Sequence, residues 1–196
     1  DPVLNTFIHF PEAEIARLIF HELAHQVAYV RDDTAFNESF AVAVEEAGVR
    51  RWLARGGDPA RRDEFERGRR MRAEFAGLIQ RYRARLDALY RSRLEPDTMR
   101  DGKRGILAEL GSEYRLLKAG WGGYDGYDRW FAGPLNNAQL ASVVVYSQWV
   151  AAFEALLARE NASLPHFYEA VKALAALPRE ERDATLRTLV ARVAGI

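Results

Sequence analysis

The chain contains no cysteine, so disulfide bonds and thiolate metal ligands are excluded. Any metal ion would have to be held by histidine, aspartate or glutamate. We see no apolar run approaching the roughly 18 to 20 residues of a membrane span, and we therefore expect no membrane span. Neither sign of charge dominates, because 28 basic and 28 acidic side chains cancel. We therefore expect no overall electrostatic attraction to nucleic acid or to an anionic membrane.

The chain starts without a methionine and without a signal-like segment, at Asp1-Pro2. We interpret this start as a processed or trimmed end. An upstream segment is therefore expected, and it could carry a targeting signal or a lipid anchor. The sequence does not indicate an oligomeric state.

Strand-like alternation is nearly absent, and apolar residues recur at helical spacing, which predicts a mainly α protein. With 196 residues, 48% of them hydrophobic, a single domain over residues 1–196 is expected. Only Val3–Phe10 looks extended, as a short N-terminal strand would. Residues 60–119 could form a helical-hairpin insertion. Helices are predicted over about 12–30, 35–55, 60–93, 98–119, 136–159, 164–177 and 179–193.

An HExxH motif, His21-Glu22-Leu23-Ala24-His25, lies inside an apolar helical segment. Histidines at i and i+4 project from one helical face, so both imidazoles can reach one ion. The motif is moderately specific, because a buried helix can contain two histidines by chance. Polar side chains in so apolar a run must be paired or metal-bound, which favours a metal. We predict that His21 and His25 bind one Zn²⁺ ion, with Glu22 beside its open position.

A catalytic zinc site needs a third protein ligand, and Glu38 is the strongest candidate. The first helix continues about 7.5 Å beyond His25, and the second returns about 6 Å from Thr34 to Glu38. Antiparallel packing would therefore bring Glu38 level with His25. Glu45 follows on the same face and could accept a hydrogen bond from the ring of His21. An ordinary salt bridge is the alternative for Glu45.

Four other side chains could compete as ligands. Asp32 and Asp33 follow His25 closely in the sequence, but they look more like helix caps. His9 and His166 have no link to the motif and are expected to be surface or capping histidines.

The segments HELAH and FNESFAVAVEE resemble the paired motif of gluzincin peptidases of the aminopeptidase N type. A closer resemblance is to a bacterial "putative aminopeptidase" family that reads DPVLNTF, FHELAHQ and DDTxFNESFA, which this chain nearly matches. We expect that resemblance to cover essentially the whole chain. It implies a helical zincin-type catalytic domain, with the HExxH helix packed on an antiparallel helix that carries the glutamate ligand.

The resemblance also implies roles for single residues. Glu38 would be the third zinc ligand and Glu22 the general base, and Glu45 and Asn37 would support the ligands. Aminopeptidase N-like enzymes carry an oxyanion-stabilising tyrosine on a later helix, after an Asn-Asn pair, and Tyr146 has a similar position.

A buried core tyrosine with one hydrogen bond is the alternative for Tyr146, and in either role we expect its side chain to be buried or at the wall of a cleft. Tyr124 and Tyr127 are the next candidates for the oxyanion role. They belong to the segment Trp121–Phe131, where glycines alternate with aromatics. Such a segment is typical both of ligand sites and of hydrophobic plugs.

The resulting hypothesis is a zinc-dependent peptidase, more specifically an aminopeptidase, acting on a peptide substrate at the bacterial cell envelope or in the periplasm. The location and the exopeptidase specificity are implied by the resemblance alone. The spacing from His25 to Glu38 is shorter than in aminopeptidase N, and its GxMEN motif does not occur in this chain. Two alternatives remain open, a zinc hydrolase of a non-peptide amide and a non-enzymatic helical binding module with a vestigial metal site. The presence of Glu22 favours an enzyme.

Overall fold

The computed structural model of the chain describes residues 9–56 and 58–193. These residues form helices and no strand, so the predicted mainly α fold is confirmed. The predicted extended segment Val3–Phe10 lies outside the described residues, apart from a turn and a bend at its last two positions. The helices are α1 (Glu12–Val27), α2 (Thr34–Gly56), α3 (Pro59–Arg91), α4 (Pro96–Gly120), α5 (Asp128–Phe131), α6 (Asn137–Ser147), α7 (Val150–Arg159), α8 (Leu164–Ala175) and α9 (Arg179–Val193).

The end of α1 shows how tertiary contacts override helical periodicity. The prediction carried this helix to about Val30, whereas it ends at Val27 and Ala28 is extended, with φ −149° and ψ 135°. The reason lies in α2. Both groups of the Asn37 amide bond to the backbone of Val30, with Oδ1 accepting from its N–H and Nδ2 donating to its carbonyl, each at 2.8 Å. These bonds hold the link between α1 and α2 in a non-helical conformation.

The single helix predicted over about 136–159 is wrong, because the structure contains two helices, α6 and α7, separated by Gln148 and Trp149. The backbone N–H of Trp149 donates to Ser39 Oγ of α2 at 3.0 Å. Because both residues are buried, this bond satisfies a donor that would otherwise need a partner inside one continuous helix.

The stretch Asn137–Arg159 has the length and apolar composition of a membrane span. The expectation that no apolar run reaches this length is therefore wrong, whereas the expectation of no membrane span stays a prediction. Length and composition are weak grounds for a span, since core helices share them. Within α7 the side chains of Ala152, Phe153, Leu156 and Leu157 are buried.

The chain forms two compact units, one of Asp1–Glu66 with Val145–Ile196 and the other of Arg67–Val144. The first unit contains α1, α2, α7, α8 and α9, whose core includes the buried rings of Phe36, Phe40, Phe153 and Phe167. The single domain over 1–196 and the insertion over 60–119 stay predictions.

The second unit has its own core, in which the glycine-aromatic segment Trp121–Phe131 takes part. The ring of Tyr127 stacks on Phe75 with centroids 3.9 Å apart, and the ring of Phe131 stacks on Tyr114 at 4.0 Å. These contacts favour the hydrophobic-plug interpretation of the segment.

Helices α1 and α2 of the first unit pack antiparallel, and they approach closely where Phe20 meets Gly48. Arg17 near the start of α1 bonds to Glu45, and a Cβ at Gly48 of α2 would lie 2.7 Å from Cγ of Phe20. Glycine is therefore required at position 48, because the absence of a side chain lets the Phe20 ring lie against the α2 backbone.

Replacing Gly48 by alanine is expected to lower the free energy of unfolding by about 1 to 3 kcal/mol. Helix propensity alone would predict a gain, but the new methyl group would overlap the Phe20 ring, which packs against the cluster of Val49, Leu53 and Phe65. Urea unfolding measures the change. Gly77→Ala in α3 is the matched control, because a Cβ there meets nothing within 4 Å and should stabilise the chain by about 0.5 to 1 kcal/mol. A gain at both positions would contradict the close approach.

Candidate metal centre

Two helices bring three potential metal ligands together. His21 and His25 lie on the face of α1 that meets α2, and Glu38 projects from the first turns of α2 towards them. Glu38 Oε2 is 3.2 Å from His21 Nε2, and Oε1 is 3.9 Å from His25 Nε2. One ligand atom from each residue lies within 4.8 Å of the others. Ligand atoms of a tetrahedral zinc ion lie about 3.3 Å apart, so small side-chain movements would let these three residues hold one ion.

The hydrogen bond to Glu45 fixes the tautomer of His21 and leaves its unprotonated nitrogen, Nε2, facing Glu38. The Nδ1–H donates to Glu45 Oε2 at 2.8 Å, because a carboxylate can only accept. In the neutral ring Nε2 is then an acceptor, and it faces another acceptor, Glu38 Oε2, at 3.2 Å. Two acceptors at this distance need a proton or a metal cation between them. This pairing is the first observation that fits a cation to the site.

The electrostatics of the site favour positive charge at the same place. Burial lowers the pKa of His21, but the hydrogen bond and the negative charge of Glu45, together with those of Glu38, outweigh burial and raise the pKa above its ordinary value. The negative potential that favours a proton on this ring also favours a bound metal ion.

His25 gives the second observation that fits a cation. Its side chain is only 22% exposed, and its Nδ1 is buried with no hydrogen-bond partner among the described residues. The 3.9 Å from Nε2 to Glu38 is too long for a hydrogen bond. Neighbouring contacts are with rings, His21 at 5.0 Å and Tyr29 at 6.4 Å between centroids. Because Nε2 makes no hydrogen bond to Glu38, its lone pair is available to an ion, whereas the unpartnered Nδ1 would not be satisfied by an ion at Nε2.

The two candidate catalytic side chains are accessible. Glu22 is exposed on α1, directly beside His21. Tyr146, near the end of α6, is 49% exposed, so the interpretation as a buried core tyrosine is wrong. Partial burial raises the pKa of Tyr146, and the negative charges of Glu38 and Glu22 raise it further. Its hydroxyl is therefore a protonated donor within electrostatic reach of both carboxylates.

The remaining candidates, Asn37 and the two tyrosines of the glycine-aromatic segment, have other partners. The side chain of Asn37 binds the backbone of Val30, so it positions the loop before Glu38. Tyr124 and Tyr127 belong to the second unit, where they pack with Trp121.

The rival ligands are accounted for by other contacts. Asp33 caps α2 by accepting from the N–H of Phe36 at 3.1 Å, and its other oxygen pairs with Arg182 at 2.6 Å in a buried ion pair. Asp32 is exposed, with a positive φ of 62°. His9 and His166 are exposed as well.

One residue of the site was not singled out from the sequence. Arg17 lies one helical turn before His21, on the same face of α1, and its guanidinium binds Glu45 at 2.9 Å. A basic residue four positions before the first histidine was the available signal. Its meaning depends on Glu45, which is far away in the sequence.

A comparison with protein families identifies the family of the chain. The sequence profile of the family described as "Putative aminopeptidase" matches residues 1–186, and the chain belongs to this family. The match includes every residue of the candidate centre. No curated protein and no solved structure matches the chain.

The buried pair of Asp33 and Arg182 gives a test of the rival-ligand assignment. Asp33→Asn should lower the free energy of unfolding by about 3 to 5 kcal/mol, because it leaves a buried arginine without its counter-charge. Thermal or urea unfolding measures this change. The control Asp32→Asn should stay within about 0.5 kcal/mol, as for most surface positions. A small loss for Asp33→Asn together with a loss of bound metal would instead assign this aspartate to the metal centre.

Proposed function

We propose that this member of the family is a zinc-dependent peptidase, and more specifically an aminopeptidase. The observation that carries the proposal is the convergence of His21, His25 and Glu38 within 4.8 Å, with the exposed Glu22 beside them. A purely structural metal site has no use for a carboxylate next to an open coordination position. The family name supports the peptide substrate.

His21, His25 and Glu38 would hold one Zn²⁺ ion. When bound, such an ion polarises a carbonyl group and lowers the pKa of water towards about 7. Glu45 would keep the ring of His21 oriented, since its carboxylate accepts from Nδ1 at 2.8 Å and leaves Nε2 for the ion.

Glu22 is proposed as the general base. Its exposed carboxylate is open to water and substrate, so it can take a proton from the attacking water and pass it to the leaving amine. Tyr146 is proposed to donate a hydrogen bond to the oxyanion that develops on the scissile carbonyl. Partial burial and the charges of Glu38 and Glu22 raise the pKa of this hydroxyl, so it remains a hydrogen-bond donor near neutral pH.

A location at the bacterial cell envelope or in the periplasm is also proposed, on the family resemblance alone. The experiment that tests the proposed function is turnover of a library of short peptides by the full chain loaded with zinc. Release of amino-terminal residues is expected. Hydrolysis of non-peptide amides without any peptide cleavage would contradict the proposed substrate.

Replacing Glu22 by glutamine should abolish most turnover while zinc stays bound. Glutamine keeps the shape of the side chain but cannot accept a proton, and general bases contribute about 10² to 10⁴ in rate. Peptide turnover and metal content should be measured on the same sample. Glu12→Gln, at the exposed start of α1, is the matched control and should retain both. Survival of turnover in Glu22→Gln would refute the role of Glu22 as base, and loss of metal would make Glu22 a structural residue.

Replacing Tyr146 by phenylalanine should reduce kcat by about 10² to 10³, with little change in KM or metal content. The hydroxyl is expected to bind charge that develops only in the transition state, so its loss should affect kcat selectively. Steady-state kinetics over a range of peptide concentrations separates the two constants.

Tyr124→Phe and Tyr127→Phe are the controls for this prediction. Both hydroxyls belong to the second unit, and their removal should leave kcat unchanged. An unchanged kcat in Tyr146→Phe with a large loss in either control would move the oxyanion role to the segment Trp121–Phe131.

A further inference from the structure

Arg17 occupies an unusual position beside the candidate centre. Its guanidinium donates from Nη1 to Glu45 Oε1 at 2.9 Å and from Nε to Glu14 Oε2 at 2.8 Å. Its side chain is 25% exposed, so it is largely shielded from water by the packing of α1 on α2. An arginine held by two directed bonds has a defined orientation, unlike one on an open surface.

The carboxylate of Glu45 divides its two oxygens between two partners on α1. Oε1 accepts from Arg17 at 2.9 Å and Oε2 accepts from His21 Nδ1 at 2.8 Å. Because each oxygen has its own donor, neither bond can form at full strength if the carboxylate rotates. The Arg17 contact thereby fixes the direction in which Oε2 faces His21.

The burial of Glu45 makes this contact necessary. The side chain of Glu45 is 3% exposed, and Arg17 is the only Lys or Arg among the described residues with which it forms an ion pair. A buried carboxylate is stable as an anion only when it is paired and hydrogen-bonded. Without Arg17, the buried Glu45 carboxylate would be unpaired and unfavourable. Its side chain would then be expected to turn away from α1 and lose its hydrogen bond to His21.

We propose that Arg17 is a positioning residue of the metal centre, which acts on His21 through Glu45. It holds Glu45 so that His21 Nδ1 is bound and Nε2 stays turned towards Glu38. The inference rests on the proposed function in one respect, that the ion is zinc. It assigns Arg17 no contact with the ion or the substrate.

The charge of Arg17 also affects zinc affinity, in the direction opposite to the effect of positioning. This difference makes the inference testable. A guanidinium near the centre repels a divalent cation, so charge alone predicts that removing Arg17 tightens zinc binding. Positioning predicts the reverse, because a wrongly oriented histidine binds the ion less well. Loss of a residue that supports a metal ligand typically weakens metal affinity by about 10- to 100-fold.

The test is the zinc dissociation constant of the full chain, measured by competition with a chromogenic chelator. Arg17→Met, which keeps most of the aliphatic stem, should weaken zinc binding by about 10- to 100-fold. Arg17→Lys, which restores the charge and one donor, should recover a large part of this loss. The matched control is Arg61→Met, since Arg61 pairs with Glu12 at the exposed start of α1 and touches no residue of the centre. Its zinc affinity should equal that of the unmodified chain.

A double variant separates positioning from a general loss of stability. If Arg17 acts through Glu45, then Arg17→Met should weaken zinc binding no further once Glu45→Gln is present. Additive losses would overturn the inference, and so would unchanged or tighter binding in Arg17→Met. If Arg17→Met fails to fold, Arg17→Lys is measured alone and in the Glu45→Gln background instead, and a loss of zinc affinity that is equally large in both backgrounds would overturn the inference.

Failure of this inference is distinguishable from failure of the proposed function. A chain that binds zinc in an Arg17-dependent way but cleaves no peptide would support the inference and reject the peptidase. A chain that cleaves peptides with zinc affinity independent of Arg17 would support the peptidase and reject the inference. Absence of zinc binding by the unmodified chain would overturn both.

Discussion

The antiparallel contact between α1 and α2 is the interaction on which the candidate centre depends. All three potential ligands lie on these two helices, so their separation is set by how closely the helices pack. Gly48 allows the Phe20 ring to lie against the α2 backbone, and the Asn37 side chain fixes the link that turns α1 into α2. A helix pair held further apart would leave Glu38 out of reach of both imidazoles.

Two buried ion pairs hold α2 in place. Asp33, at the start of α2, pairs with Arg182 of α9, and Glu45, further along, pairs with Arg17 of α1. Each carboxylate would be unfavourable in the interior without its arginine, so each pair constrains where α2 can lie. The first pair anchors the helix to the core, and the second anchors it to the helix that carries the histidines. The accessible side chains of the centre then project from a rigid support, as a catalytic site requires.

How much of this could be predicted from the sequence depends on the distance over which each feature is determined. The placement of His21 and His25 follows from helical periodicity, and that of Glu38 from the short link between two helices, so local reasoning was sufficient. The break at Trp149 was missed because it depends on Ser39, which lies 110 positions earlier. The early end of α1 depends likewise on the side chain of Asn37. The exposure of Tyr146 is set by what packs around α6, which periodicity does not show.

The most direct test of the central claim is the position of the ion itself. Crystals of the zinc-loaded chain should be measured on both sides of the zinc absorption edge, so that the anomalous difference locates zinc and no other element. The expected result is one peak bonded to Nε2 of His21, Nε2 of His25 and a Glu38 oxygen at about 2.0 to 2.2 Å. A peak bonded to Asp32 or Asp33 in place of Glu38, or no peak between α1 and α2, would contradict it.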